Sequence, residues 1–371
     1  MSVRSTSSFV PPPKTSPQPS SPRLSVYLAG VGAVGSALLR QMDERAGSDP
    51  TLRLLGACTS RRATWTEAGG APQTMLAHLA DGEALNWPSI MDCLTQDAPR
   101  PLVFVDATGS PEVADLYEEL LQAGIHVVTP SKLANTRAQS IFDRLQAVAA
   151  EQNVQYRYET TVGAGLPVVQ TVEDLVDSGD RIRTIRGAVS GTLTFLFSAL
   201  RNGLSFSDAV QAAIDRGYAE PDVRDDLSGE DVARKFLILA RTAGYTVERD
   251  DVQVESLVPD AIADAPYGPF LDRLSVVNER WEKRSAAAAA ENAVLQYVGR
   301  FSSGKIDVGV RRVQTDTAFG RLDGQDNLFE ITTDRYAESP LIIRGPGAGP
   351  EVTAAGVLAD VLEVARAVPA G

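Results

Sequence analysis

The apolar run LSVYLA (24–29) leads directly into GVGAVG (30–35), and the residues after it put Leu38, Leu39 and Met42 on one side of a helix. No other segment constrains the fold as strongly, because Gly30, Gly32 and Gly35 form GxGxxG between a strand and a helix. The first glycine permits the tight turn, the second lets a pyrophosphate approach the backbone, and the third lets helix and strand pack closely. Ala33 and Val34 then present amides at a helix N-terminus, where the dipole favours an anion.

Further apolar runs, LRLLGACTS (52–60), PLVFVDATGS (101–110) and IHVVTP (125–130), alternate with helical patterns, and a helix over 136–150 closes this part. The expected fold class is α/β, with a Rossmann-type parallel sheet covered on both faces. The pattern changes after VQYRYETTVGAGLP (154–167) to strands near 182–190 and 294–344 with helices near 192–216 and 229–243, an α+β second domain. Beyond GPGAG (345–349), VTAAGVLADVLEVARAV reads as a long helix. The expected division is 24–150, completed by 345–371, for dinucleotide binding and 151–344 for substrate. Residues 1–23, rich in Ser and Pro and without an acid, read as a disordered tail, with an organelle transit peptide as the alternative that the prolines disfavour, and SAAAAAENAVLQ (285–296) as a low-complexity helix or solvent-exposed linker.

A net charge of −13 argues against nucleic-acid and anionic-membrane partners, so a small molecule is the expected ligand. Cys58 and Cys93 lack CxxC spacing and read as buried fillers in a reducing, cytoplasmic protein. With only His78 and His126 present, histidine-rich metal sites are excluded, and the acid and base must come from other residue types.

An NAD-specific site usually carries an acid after the second strand, but here the sequence is Thr59, Ser60, Arg61, Arg62. A guanidinium suits a 2′-phosphate, which favours NADP with NAD as the alternative; a solvated basic turn is the competing reading. Asp106 and Thr108, Gly109 and Ser110 end a later strand at the same carboxyl edge, where open α/β sheets bind ligands.

The segment EPDVRDDLSGEDVARK (220–235) is dense in carboxylates and ends on a lysine. Ser228 followed by Asp231 has the pattern of a helix start, which puts Asp231 and Lys235 one turn apart on one face, with Gly244 stopping the helix. An ordinary helix ion pair, worth about 0.3–0.5 kcal/mol, accounts for that spacing. Carbonyl reduction, however, needs a proton donor beside the oxygen that becomes an alkoxide, and a lysine can fill that role. The carboxylates then form either an amino-acid binding site or a solvated loop.

The chain resembles homoserine dehydrogenase along nearly its whole length after residue 23, on six ordered segments: GVGAVGS (30–36), TPSKLA (129–134), YETTVGAGLP (158–167), VSGTLTFLF (189–197), RGYAEPDVRDDLSGEDVARK (216–235) and GPGAGPEVTAAGVLAD (345–360). The resemblance implies nicotinamide-dependent interconversion of L-homoserine and L-aspartate 4-semialdehyde, in the branch leading to threonine, methionine and isoleucine. It implies Lys235 as general acid/base, Lys132 as a second lysine near substrate and nicotinamide, and Glu220 holding the substrate amino group. Asp226 and Asp231 would bind or orient substrate, and Gly191, Thr192 and Tyr218 match further substrate contacts. Gly30, Gly32, Ala33, Val34, Gly35, Ser60, Arg61, Thr108, Gly109, Lys132 and Gly349 would line the cofactor.

By the same resemblance, a monovalent cation such as Na+ falls on Glu159, Val162, Ala164 and Leu166, where a glycine-rich loop can turn several carbonyls toward one ion. A homodimer through the second domain is also implied. Two positions depart from the family pattern: Ser131 stands where Asn is common, and QTDTAFGRL (314–322) lacks a His-Pro pair. With Gly371 following soon after GPGAG, neither a C-terminal ACT domain nor a fused aspartate kinase is expected. The alternatives are a dehydrogenase of another small amino acid and a non-catalytic dinucleotide sensor.

Overall fold

The computed structural model describes residues 24–46 and 51–368, so the 1–23 tail and the last three residues of the chain lie outside the described residues. The first sheet holds β1 (Leu24–Ala29), β2 (Leu52–Cys58), β3 (Arg62–Gly70), β4 (Glu83–Ala84), β5 (Leu102–Asp106), β6 (His126–Val128) and β7 (Tyr156–Arg157), in the order β4-β3-β2-β1-β5-β6-β7. β2, β1, β5, β6 and β7 run parallel; β3 and β4 are antiparallel additions at one edge. Every residue of β1 and β5 is buried, as expected for strands covered on both faces. On one face Leu38, Leu39 and Met42 of helix Ala33–Ala46 meet Val357, Val361 and Val364 of helix Pro350–Ala367.

The second sheet holds β8 (Ile182–Ala188), β9 (Val252–Val254), β10 (Ala293–Ser302), β11 (Lys305–Gln314), β12 (Asp326–Thr333) and β13 (Leu341–Pro346), in the order β13-β12-β8-β10-β11-β9. Its pairs are antiparallel except β11 with β9. Helix Glu230–Thr242 lies across it, and its seat is set by close approach: a Cβ on Gly299 would stand 2.2 Å from the Phe236 ring. Only glycine on β10 lets this helix, with Lys235 next to Phe236, come so near the sheet.

Several local expectations change. The basic turn at Arg61 and Arg62 opens the antiparallel strand β3, and the helical pattern at 192–216 divides into Gly191–Arg201 and Phe206–Asp215, broken by a Gly203 at φ 93°. The parallel sheet extends past 150 to β7. SAAAAAENAVLQ is split between the end of helix Asn278–Ala289, where Ala288 is fully buried, and the start of β10. Cys58 is buried, whereas Cys93 is only half-buried.

Candidate active site

At the carboxyl edge of the first sheet, Gly30 takes φ 92° and Gly35 packs so closely that a Cβ there would lie 2.1 Å from the Gly30 carbonyl oxygen. Nothing stands within 4 Å of a Cβ placed on Gly32, so this glycine faces open space in front of the helix that starts at Ala33. The turn fits a pyrophosphate: a tight bend behind, room in front, and exposed amides at a helix N-terminus. Gly30 also abuts the loop after β5, its Cβ position being 2.7 Å from Ala107 and 2.8 Å from Thr108. Thr108 and Gly109 (φ 86°) therefore flank the same opening at the point where the strand order reverses.

Asp106 is turned inward instead. Its carboxylate takes the Thr108 amide (2.7 Å), the Thr108 hydroxyl (2.6 Å) and the Tyr117 hydroxyl, and burial pushes its carboxyl upward. Ser60 and Arg61 are exposed beyond β2, where Thr59 Oγ1 accepts the amides of Arg61 (3.3 Å) and Arg62 (3.1 Å). Arg62 donates to the Gly82 carbonyl, which leaves Arg61 as the exposed guanidinium with no hydrogen bond or ion pair among the described residues.

A cleft of about 860 Å³ gathers Lys132, Glu220, Asp226, Asp231 and Lys235, and Gly349 also lines it. Asp231 bridges the two lysines, one oxygen 2.8 Å from Lys235 Nζ and the other 3.1 Å from Lys132 Nζ. Lys235 is 8% exposed and also donates to the Val189 carbonyl at 2.7 Å. An ammonium has three N–H groups, so one remains for a ligand. Desolvation inside the cleft would by itself raise the carboxyl of the half-exposed Asp231 side chain, but the Lys235 and Lys132 charges outweigh it and hold the group well below the ordinary carboxylate range.

The helix carrying Asp231 and Lys235 starts differently from its sequence signature. Ser228 ends the short helix Val223–Leu227 in right-handed conformation, its hydroxyl donating to the Asp225 carbonyl at 2.7 Å. The chain then reverses through Gly229 at φ 76°, which is the N-cap of Glu230–Thr242. Asp231 consequently sits in the first turn, where a carboxylate also meets the positive end of the helix dipole.

Asp226 is occupied with its own loop. Its carboxylate accepts the Glu220 amide at 2.8 Å, and the Thr192 hydroxyl lies between it and the Tyr218 carbonyl, 2.7 Å from the latter. Burial, with Glu220 and Asp231 nearby, pushes the Asp226 carboxyl upward. Gly191 begins helix Gly191–Arg201 behind this contact; Gly191, Thr192 and Tyr218 support the cleft without lining it. The exposed Glu220 carboxylate is left facing the opening.

Glu159, Val162, Ala164 and Leu166 form the loop between β7 and helix Val169–Asp177, bent through Gly163 (φ 81°) and Ala164 (φ 54°). The Glu159 carboxylate is taken by the amides of Val168 (2.7 Å), Val169 (2.8 Å) and Gln170 (2.7 Å), and burial pushes it up to about 7 against their pull. Any ligand from Glu159 is therefore its main-chain carbonyl. Among the described residues no cluster of three His, Cys, Asp or Glu could hold a metal, so a cation here needs the carbonyl set.

Sequence reasoning missed the Val189 carbonyl, since backbone acceptors leave no residue signature, and Arg234 and Thr353, which also line the cleft. Ser131 takes a local turn role, its amide donating to Thr129 Oγ1 at 2.9 Å. QTDTAFGRL buries Phe319 and Leu322 in a small core of their own, outside the cleft.

The family model for the homoserine dehydrogenase NAD-binding domain matches residues 30–159, and that for homoserine dehydrogenase matches 167–362. A homoserine dehydrogenase of Paracoccidioides brasiliensis is 39% identical over 364 residues, which cover 91% of this chain and 97% of that protein. The chain belongs to the homoserine dehydrogenase family. A maize chloroplastic bifunctional aspartokinase/homoserine dehydrogenase is 38% identical over 92% of the chain, although the chain spans only 38% of that relative's length. A hyperthermophilic archaeal homoserine dehydrogenase, solved in complex with NADPH, superposes with a TM-score of 0.72 over 93% of this chain and 98% of its own, at 23% identity, and shares the fold. The family's two models meet at the loop that follows Glu159, so this homoserine dehydrogenase relative carries its lysine pair on both sides of their junction: Lys132 before it, Lys235 after. No helix among the described residues is long and apolar enough to cross a membrane.

Proposed function

We propose that this chain is an NAD(P)-dependent homoserine dehydrogenase, interconverting L-homoserine and L-aspartate 4-semialdehyde in threonine, methionine and isoleucine biosynthesis in the cytoplasm. The observation that carries this is one carboxylate, Asp231, bridging a buried and a half-buried lysine in a cleft that Glu220 also lines. A bound nicotinamide supplies the hydride donor or acceptor. Lys235 gives its proton to the aldehyde oxygen during reduction and takes it back from the alcohol in the reverse direction. Asp231 holds both ammoniums in place, Lys132 provides positive charge beside the developing alkoxide, and Glu220 receives the substrate ammonium. Asp226, through the Glu220 amide and Thr192, fixes the loop that presents Glu220.

The direct test of substrate class compares L-homoserine with 4-hydroxybutyrate, which lacks the amino group. Because the missing ammonium would leave the Glu220 carboxylate without its partner, kcat/KM is expected to fall by about a hundredfold or more. Equal turnover of the two would remove the amino-acid site, and preference for another amino alcohol would shift the reading to that substrate.

Arg61 favours NADP. Arg61→Ala is expected to raise KM for NADPH by about tenfold and to leave NADH nearly unaffected, because only the former offers a 2′-phosphate to the fork. An equal loss with both cofactors would contradict this. A monovalent cation such as Na+ is assigned to the carbonyls of Glu159, Val162, Ala164 and Leu166. A homodimer is assigned to the second sheet, where edge strand β13 leaves Ile342 53% exposed.

A further inference from the structure

Lys132, in the turn after β6, and Lys235, on the helix that packs on the second sheet, come from different parts of the fold, and Asp231 alone would be a weak tie between them, since its side chain is half-exposed. A second connection lies deeper. Arg241, on the same helix as Asp231 and Lys235, has a side chain with 0% exposure. All five of its N–H donors are used: Nε (3.1 Å) and Nη2 (2.8 Å) on the Val247 carbonyl, Nη1 on the carbonyls of Asn135 (2.9 Å) and Arg137 (2.7 Å), and Nη2 on Glu248 Oε2 (3.2 Å). Asn135 and Arg137 belong to the turn that begins at Lys132, whose own carbonyl accepts the Thr136 amide (3.0 Å) and hydroxyl (2.9 Å). Glu248 extends the same grip, taking the Gln139 amide at 3.0 Å just beyond the turn.

We infer that Arg241 is a positioning residue for the reaction, clamping the Lys132 turn to the Lys235 helix so that both ammoniums meet Asp231. This rests on the function proposed above and adds a residue that touches neither substrate nor cofactor. The planar fork is what the task requires: it reaches carbonyls of the turn and of the segment after the helix at once, in fixed geometry. A lysine would keep the charge but supply three donors from one nitrogen, too few for four acceptors in fixed positions.

The test measures Arg241→Lys in the wild-type and Lys132→Met backgrounds by single-turnover hydride transfer with L-homoserine, alongside thermal melting and NADPH titration. In the wild-type background the rate is expected to drop about ten- to a hundredfold with NADPH affinity unchanged, as displacement of a catalytic group by about 1 Å does. In the Lys132→Met background the further loss should be under about twofold, because the residue acts through Lys132. The same fractional loss in both backgrounds, or a wild-type rate in folded Arg241→Lys, overturns the inference. If Arg241→Lys does not fold, Glu248→Ala carries the test in the same two backgrounds, with a loss of about threefold or more expected only where Lys132 is present. Failure of the wild-type chain to oxidise homoserine would instead sink the proposed function.

Discussion

Lys235→Met is expected to lower kcat for homoserine oxidation by about a thousandfold while leaving NADPH affinity and cooperative unfolding near wild type, within the range that loss of a general acid/base produces. The substitution is local. Methionine matches the length of the buried stem, Phe236 still seats the helix over Gly299, and the Val189 carbonyl that loses Lys235 keeps the Asn327 amide at 3.4 Å. Steady-state kinetics, dinucleotide titration and a thermal melt separate the outcomes. A loss below about tenfold in a folded variant would show that another group carries the proton, since the acid/base contribution is normally larger.

Asp231→Asn should be nearly as damaging by a different route. The carboxylate accepts from both lysines, whereas an amide offers one acceptor and turns an NH2 donor toward the other ammonium. Two cations then face each other without their shared counter-ion, and Lys132 loses its tether in the cleft. The expected result is a fall in kcat/KM of about a hundredfold, shared between lower kcat and higher KM, because both proton transfer and substrate placement use the pair. Unlike Lys235→Met, this variant should also lose most of the effect of a subsequent Lys132→Met change, the two residues forming one unit. Independent, multiplicative effects of the two substitutions would show that Asp231 does not act through Lys132.

The chain's periodicity made the parallel sheet legible because β1 and β5 are buried along their full length and each is followed by a turn containing glycine, Gly30 and Gly109. β3 escaped notice, since its residues RATWTEAGG lack a continuous apolar run and its pairing with β2 is set by tertiary contact. Spacing alone placed Asp231 one turn before Lys235, and the pair does form an ion contact. It could not show that Lys132, about a hundred residues earlier, reaches the same carboxylate; that depends on how two sheets are joined, which no local pattern encodes. The Ser228 signature misled by one residue because a short helix immediately precedes it, so the serine closes one helix and a left-handed glycine opens the next. Arg241 carries no signature in the sequence that sets it apart from other charged positions on its helix. Its acceptors are backbone carbonyls distant in sequence, invisible until the chain is folded.

In the proposed reaction the lysine pair bridged by Asp231 moves the proton while hydride leaves homoserine. The measurement that addresses it most directly is the growth of reduced-nicotinamide absorbance when the purified chain is mixed with NADP+ and L-homoserine, run beside Lys235→Met at the same cofactor occupancy. Steady, homoserine-dependent reduction by the wild-type chain and almost none by the variant is the expected result. No reduction by a folded wild-type chain that binds NADPH, or equal reduction by both proteins, would contradict it.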